Sequence, residues 1–121
     1  FVNRVKGTEY IVHISNDSWY GDSMPALHLK HARARAVESN KWVIRATTDG
    51  ISQIISPRYE ESSEKINRGK IGYISHEITL NKNDTWYVKM GDLPLLILSF
   101  IALFIGFFKK TKRETWKRDF I

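Results

Sequence analysis

The sequence predicts an α/β domain followed by one transmembrane helix and a basic tail. Short apolar runs bounded by turn residues alternate with a helical pattern in the first part of the chain, which is typical of α/β folds. An uncharged apolar run, residues 93–108, follows, and a basic segment closes the chain. We therefore divide the chain into a globular part (residues 1–90), a membrane span (residues 91–108) and a tail (residues 109–121).

The globular part is expected to begin with a strand and a polar turn. Residues 9–14 (EYIVHI) are mostly apolar and partly β-branched, which favours a buried strand. The polar residues 15–17 (SND) end this run, and Trp19 follows in an aromatic loop. A helix is then predicted from Pro25, which the first turn tolerates, to about Asn40.

Two more strands are predicted to form a hairpin after the helix. Residues 42–46 (WVIRA) and 51–56 (ISQIIS) flank the turn residues 47–50 (TTDG). Residues 58–69 are polar and predict a solvated loop. Residues 70–80 (KIGYISHEITL) alternate apolar and polar side chains, which predicts an edge strand.

The apolar run of residues 93–108 has the composition of a membrane helix, because its one polar side chain is Ser99. As a helix it rises about 24 Å, short of the ~30 Å hydrocarbon core, so flanking residues or a local thinning of the bilayer must make up the difference. A buried core helix is the alternative. Six Lys and Arg against two Asp and Glu follow Phe108, which predicts a cytoplasmic tail and a periplasmic globular part.

Charge and composition exclude several classes of function. The tail carries most of the formal net charge of +6, so the globular part is nearly balanced and no nucleic-acid partner is expected. The chain has no cysteine, which excludes disulfides, thiolate metal sites and a cysteine nucleophile within it. His28 and His31 are three residues apart, but no third ligand stands at a suitable spacing, so we expect a capping or surface pair, no metal and no cofactor.

Five short motifs together resemble one family. They are residues 15–21 (SNDSWYG), 32–38 (ARARAVE), 45–47 (RAT), 85–87 (TWY) and 91–94 (GDLP). Their order, followed by an apolar span, is similar to the C-terminal portion of the nitrilase-like domain of apolipoprotein N-acyltransferases. The resemblance implies the C-terminal part of a nitrilase-like αββα sandwich followed by one transmembrane helix, in the bacterial inner membrane.

The same resemblance implies a chemistry and its partners. In the family, a cysteine takes an acyl chain from a phospholipid and passes it to the N-terminal amine of a diacylglyceryl lipoprotein. A glutamate acts as general base and a lysine stabilises the oxyanion. All three lie upstream of the motif that reads SNDSWYG here, so no catalytic residue is assigned to this chain. Alone it is expected to be inactive and to need an N-terminal catalytic portion.

Asn16, Asp17 and Trp19 are the candidate substrate-pocket residues. They follow the end of a strand, where open α/β sheets place ligands. A hydrogen-bonded turn with an aromatic plug is the alternative. On the helix, Arg33, Arg35 and Glu38 are expected to form ion pairs that fix the helix against the sheet rather than to bind phosphate headgroups.

Two other functions remain open at this point. One is a noncatalytic membrane-tethered binding module, or half of a split enzyme whose catalytic part is encoded separately. The other is a nitrilase-type amidase that acts on a soluble amide. Only the terminal apolar span and the segment from Thr85 to Pro94 argue against the amidase.

Overall fold

The computed structural model describes the backbone of residues 1–118 and the side chains of residue 1, residues 4–58 and residues 60–109. Two compact units result, one of residues 1–89 and one that begins at Met90. In chain order, the helices and strands are α1 (Val2–Val5), β1 (Tyr10–Asn16), α2 (Met24–Ser39), β2 (Trp42–Thr48), β3 (Gln53–Ile55), a single 3₁₀ turn (Tyr59–Glu61), α3 (Trp86–Met90) and α4 (Leu93–Arg118).

A β-α-β unit forms the centre of the first unit. Strands β1 and β2 pair in parallel, in a register that runs from Tyr10 opposite Trp42 to Asn16 opposite Thr48. Because parallel neighbours need a crossover, α2 connects the end of β1 to the start of β2. Pro25 lies in the first turn of α2, and Asn40 ends the helix in the left-handed conformation, with φ of 56°. The predicted mixed α/β fold and helix are confirmed.

The predicted hairpin is also confirmed, although β2 is longer than expected. Strand β3 pairs antiparallel to β2, which gives a three-stranded sheet in the order β1-β2-β3. Thr47 and Thr48, predicted as turn residues, continue β2 because they pair with the end of β1. The chain reverses at Asp49, whose φ is 54°, and at Gly50.

The hydrophobic core lies between α2 and one face of the sheet. Its buried members are Leu29, Ala32, Ala36, Val43 and Ile55. The alanines have small side chains, which lets the helix approach the sheet closely.

The opposite face of β1 is uncovered in this unit. Tyr10, Val12 and Ile14 are all exposed there, and Ile14 is 78% exposed. Strand β1 also has a hydrogen-bonded neighbour, β2, on one side only in the described part of the chain. Parallel strands are usually covered on both faces, so this face is suited to further packing.

The prediction of an edge strand at residues 70–80 is wrong. This segment is irregular throughout, and Ile71 and Tyr73 are almost fully exposed. The outer edge of β3 is occupied by the loop that precedes the segment, where Ser52 and Ile66 form an isolated bridge and Ile54 N–H donates to Ser63 Oγ. The alternation of apolar and polar residues in residues 70–80 therefore did not correspond to a strand with one buried face.

A buried lysine attaches the end of the first unit to the start of β2. Lys41 has no exposed side-chain surface, and its Nζ donates to Asn81 O at 2.7 Å and lies 3.2 Å from Asp84 Oδ1. Thr85 Oγ1 donates to Glu38 O at the end of α2. These contacts hold the irregular segment that leads into α3.

Helix α4 begins at Leu93, the first residue of the apolar run within the predicted span, and continues to Arg118. Its apolar side chains from Leu93 to Phe108 are exposed on all sides. Within the described part of the chain, no helix combines the length and the apolar character that crossing a membrane requires. The transmembrane helix thus stays a prediction. Of the predicted tail, residues 119–121 and the side chains from residue 110 onward lie outside the described residues.

We predict that Ile55→Ala lowers the free energy of unfolding by about 2–5 kcal/mol, because it removes a fully buried side chain from the core beneath α2. Ile14→Ala is the matched control, since Ile14 is an exposed strand residue, and we expect a change within about 0.5 kcal/mol. Chemical denaturation followed by circular dichroism measures both. Equal losses in the two variants would contradict the assigned core.

Candidate functional site

The candidate site lies where the parallel strands β1 and β2 end. Asn16 is the last residue of β1, and Asp17 follows it, with its N–H donating to Thr48 O at the end of β2 at 3.0 Å. Carboxyl ends of parallel strands share one edge of a sheet, which brings the loop after β1 and the turn after β2 together.

Asp17 is the central residue of this edge. Only 1% of it is exposed, and both carboxylate oxygens are engaged. Arg45 Nη2 donates to Oδ2 at 2.9 Å, and His28 Nδ1 donates to Oδ1 at 3.1 Å. Ser15 Oγ donates to Oδ1 at 3.2 Å. The carboxylate thus connects the end of β1 to β2 and α2.

The Arg45 guanidinium contacts three parts of the chain: the loop after β1, the residues before β3, and β1 itself. Besides Asp17, its Nε donates to Ile51 O at 3.1 Å, and its Nη1 lies 3.1 Å from His13 Nδ1. Burial lowers the pKa of Arg45, and the Asp17 carboxylate opposes that effect. Burial and, next, the Arg45 charge lower the pKa of His13 from its ordinary value. Arg45 only donates, so the contact with His13 suits a neutral imidazole.

Gly50 is required by the close approach of the β2–β3 turn to Asp17. A Cβ at position 50 would lie 2.5 Å from Asp17 Oδ2 and 2.8 Å from Thr47 Oγ1. Both neighbours belong to the site edge, and Asp17 is already fixed by its ion pair. Any larger residue would therefore displace the buried carboxylate.

A second, more exposed ion cluster lies beside the first. Arg68 Nη2 donates to Asp49 Oδ2 at 2.7 Å, and its Nη1 donates to Asp22 Oδ1 at 3.2 Å and to Tyr20 O at 3.3 Å. The hydrogen bond from Arg68 lowers the pKa of Asp49, and the same bond raises the pKa of Arg68. Arg68 thereby attaches the polar loop after β3 to both turns at the site edge.

The three sequence-predicted site residues lie in one loop but in different environments. Asn16 Oδ1 accepts hydrogen bonds from Ser18 N at 3.0 Å and from Ser18 Oγ at 2.6 Å, which closes a tight turn. The Asp17 carboxylate faces the protein interior. Trp19 is 87% exposed, so its indole is available to a ligand or to another part of a larger protein.

The histidines and charged residues of α2 differ in part from expectation. His28 is not a surface or capping residue, because it binds Asp17 and its ring meets the Tyr20 ring edge to face at 5.0 Å. Among the described residues, no group of three or more metal-ligating side chains occurs. Arg35 and Glu38 pair along the helix surface, so they do not fix it to the sheet, whereas Arg33 donates to Gln53 Oε1 on β3.

A cavity of about 480 Å³ lies away from the predicted pocket residues. It is bounded by α2, the inner side of β1 and the first residue, and its lining includes Phe1, Ile11, His13, His31 and Arg35. The Arg35 guanidinium lies 4.8 Å from the centre of the Phe1 ring. Residues 11–13 of β1 line this cavity, and β1 has no neighbouring strand on its other side in the described chain.

Sequence reasoning missed Arg45, His28, His13 and Arg68 as members of the site edge. A signal for one pair was present, since His13 and Arg45 each stand in the middle of an apolar strand, where charged or ionisable residues need a partner. Their pairing across β1 and β2 depends on the strand register, in which His13 lies opposite Arg45.

The chain matches the model of the carbon-nitrogen hydrolase family over residues 1–87. It is 42% identical over 106 residues to an apolipoprotein N-acyltransferase of Wigglesworthia glossinidia brevipalpis, a match that covers 87% of this chain and 21% of that protein. It is 32% identical over 109 residues to the enzyme of that name from Shewanella oneidensis, covering 89% of this chain and 21% of the relative. The chain thus spans about one fifth of the length of these relatives.

We predict that the free energy of unfolding falls as pH decreases below about 6.5, with a contribution from His13. The pKa of His13 is lowered in the folded chain, so the unfolded chain binds more protons as the pH drops through this range. The contribution of His13 to stability is complete above the pKa that it has in the unfolded chain. It is lost as the pH falls through the lower pKa that His13 has in the folded chain.

Denaturant titrations at a series of pH values test this prediction. His13→Gln removes the titrating group and is expected to flatten the pH dependence, whereas His31→Gln on α2 serves as the control. An unchanged slope in His13→Gln would contradict the assignment.

Proposed function

Because the chain belongs to the carbon-nitrogen hydrolase family, we propose that it forms part of an apolipoprotein N-acyltransferase. The observation that carries the proposal is the 42% identity to an enzyme of that name over 87% of this chain. In the proposed reaction, a cysteine thiolate attacks an ester carbonyl of a phospholipid and expels a lysophospholipid. The N-terminal amine of a diacylglyceryl lipoprotein then attacks the thioester and releases the thiolate.

The cysteine, glutamate and lysine of this reaction are assigned to a portion that precedes this chain in the complete enzyme. The chain contains no cysteine, and the buried carboxylate of Asp17 is engaged by Arg45 and His28. We therefore assign no catalytic residue here and propose that this chain alone is inactive. Its contribution is one wall of the substrate site, at the edge where β1 and β2 end.

The uncovered face of β1 supports an incomplete αββα sandwich. Tyr10, Val12 and Ile14 form an exposed apolar row on a parallel strand, and β1 and α2 line a cavity with both apolar and ionisable side chains. In the proposed complete enzyme, the rest of the nitrilase-like domain packs against this face and pairs with the open edge of β1.

Trp19 is the proposed contact of this chain with substrate. Its indole is exposed at the carboxyl ends of parallel strands, where α/β folds place ligands, and a large amphipathic ring suits an acyl chain or a lipid headgroup. Asn16 and Asp17 complete the pocket candidates, with Asn16 at the start of the loop and Asp17 beneath it.

We predict that a chimera of the Wigglesworthia enzyme, with this chain in place of the matching fifth, transfers acyl groups from phospholipid to a diacylglyceryl peptide. The isolated chain is expected to form no hydroxylamine-sensitive acyl adduct, which mass spectrometry measures. Trp19→Ala in the chimera should reduce acyl transfer with little change in abundance, because Trp19 is exposed.

Trp42→Ala is the matched control for this prediction. Trp42 is buried, so its truncation should cost about 3–5 kcal/mol and lower abundance instead. An acyl adduct on the isolated chain would contradict the assignment of the nucleophile elsewhere. Release of ammonia from small amides without acyl transfer would favour the amidase, and an inactive chimera of normal abundance would favour the binding module.

We further propose that α4 anchors the protein in the bacterial inner membrane, with the globular part periplasmic and the tail cytoplasmic. Apolar side chains surround the helix from Leu93 to Phe108, and such a helix is suited to lipid. Its one polar side chain in this run, Ser99, donates to Leu95 O at 2.8 Å, so its hydroxyl is satisfied within the helix.

We predict that Leu98→Arg lowers the membrane-inserted fraction, since a central arginine costs about 2.5–3.5 kcal/mol on insertion scales. A reporter fused after Ile121 should be active only in its cytoplasmic form, and Leu98→Ala should leave both readouts unchanged. Full membrane retention of Leu98→Arg, or a periplasmic reporter signal, would contradict the proposed anchor or its orientation.

A further inference from the structure

The placement of Trp19 depends on the backbone that flanks it. With 87% of the residue exposed, few protein contacts hold the indole itself. The adjacent Ser18 is bound to Asn16 Oδ1 through both its N–H and its hydroxyl, and Tyr20 N–H donates to Asp17 O at 3.1 Å. The loop from Asn16 to Tyr20 is therefore a compact turn whose orientation is set at Asp17.

Asp17 is anchored from three directions. Its N–H donates to Thr48 O of β2, its Oδ2 accepts from Arg45, and its Oδ1 accepts from His28 of α2. The turn after β2 also closes over the carboxylate, since Gly50 lies too near for any Cβ. The loop thus cannot tilt relative to the sheet unless these contacts separate.

Separation of the Asp17–Arg45 pair is unfavourable because both side chains are almost fully buried. Removal of one partner of a buried ion pair leaves the other charge without compensation, which is much more costly than loss of an exposed pair. The neighbouring pair of Arg68 with Asp22 is of the exposed kind, because Asp22 is fully exposed. The two pairs hold the same loop with very different strength.

We propose that Asp17 is a positioning residue, which acts through Arg45 and His28 to fix the loop that presents Trp19. The functional part of the proposal, the effect of Asp17 on acyl transfer, rests on the proposed acyltransferase. The mechanical part, the effect of Asp17 on the position of the loop, concerns this chain alone. Tyr20 also helps to fix this loop, since its ring packs edge to face against the same His28 that binds Asp17. His28 therefore contacts two residues of this loop, Asp17 and Tyr20.

Spin labelling tests the mechanical part directly. The chain has no cysteine, so Trp19→Cys places a single nitroxide in the loop, and Lys30→Cys places one on the exposed side of α2. In detergent micelles, Asp17→Asn is expected to increase the mobility of the label at position 19 and to leave the label at position 30 unchanged. Asp22→Asn, the matched control in the same loop, should alter neither.

A second variant covers the case in which Asp17→Asn unfolds the whole chain and mobilises both labels. His28→Phe removes the donor to Asp17 and keeps an aromatic ring against Tyr20. Increased mobility at position 19 alone supports the proposal. Unchanged mobility of the label at position 19 in folded Asp17→Asn would overturn it. If Asp17→Asn unfolds, unchanged mobility of that label in His28→Phe would overturn it instead.

The chimera tests the functional part. Asp17→Asn should reduce turnover by about 10- to 100-fold in protein of normal abundance, because a misplacement of about 1 Å, even from a distant mutation, can cost about 100-fold. Asp22→Asn should retain the parent rate. Equal rates in the two variants would overturn the positioning role. An inactive parent chimera would contradict the proposed function, and the spin-label result would still decide the mechanical part.

Discussion

The buried ion pair between Asp17 and Arg45 is the constraint on which the site edge depends. It joins the residue after β1 to the middle of β2, and two further contacts of the same groups reach α2 through His28 and the β3 side through Ile51 O. A carboxylate and a guanidinium removed from water require hydrogen-bond partners, and here each carboxylate oxygen and each guanidinium nitrogen has at least one. The loop after β1, the turn after β2 and the first half of α2 are consequently fixed relative to one another.

The hydrophobic core and this polar edge have separate roles. Leu29, Ala36, Val43 and Ile55 hold α2 on one face of the sheet by burial of apolar surface, which is not directional. The polar contacts at the strand ends are directional, and they specify where the loop carrying Trp19 lies. At the other end of the strands, Lys41 and Asp84 attach the segment that leads into α3. Non-directional burial and directional pairing together define this small unit.

The uncovered features of the chain have a common explanation in the proposed acyltransferase. The apolar row on β1, the open strand edge, the cavity lined by β1 and α2 and the exposed Trp19 all belong to the β-α-β unit. The chain spans about one fifth of its relatives, so a much larger part of the proposed enzyme is available to cover them. In this interpretation the chain supplies one wall of the site and an anchor, and the preceding portion supplies the chemistry.

Local pattern in the sequence determined the β-α-β-β order, the ends of α2 and the start of the apolar helix, because strand composition, Pro25, Asn40 and the uncharged run are short-range signals. The motif that contains Asn16, Asp17 and Trp19 identified the loop but not the direction of each side chain. Tertiary structure decided that Asp17 turns inward, that Arg45 and His28 bind it, and that residues 70–80 form no strand. Strand register, helix packing and the occupied edge of β3 are long-range properties, and no short stretch of sequence contains them.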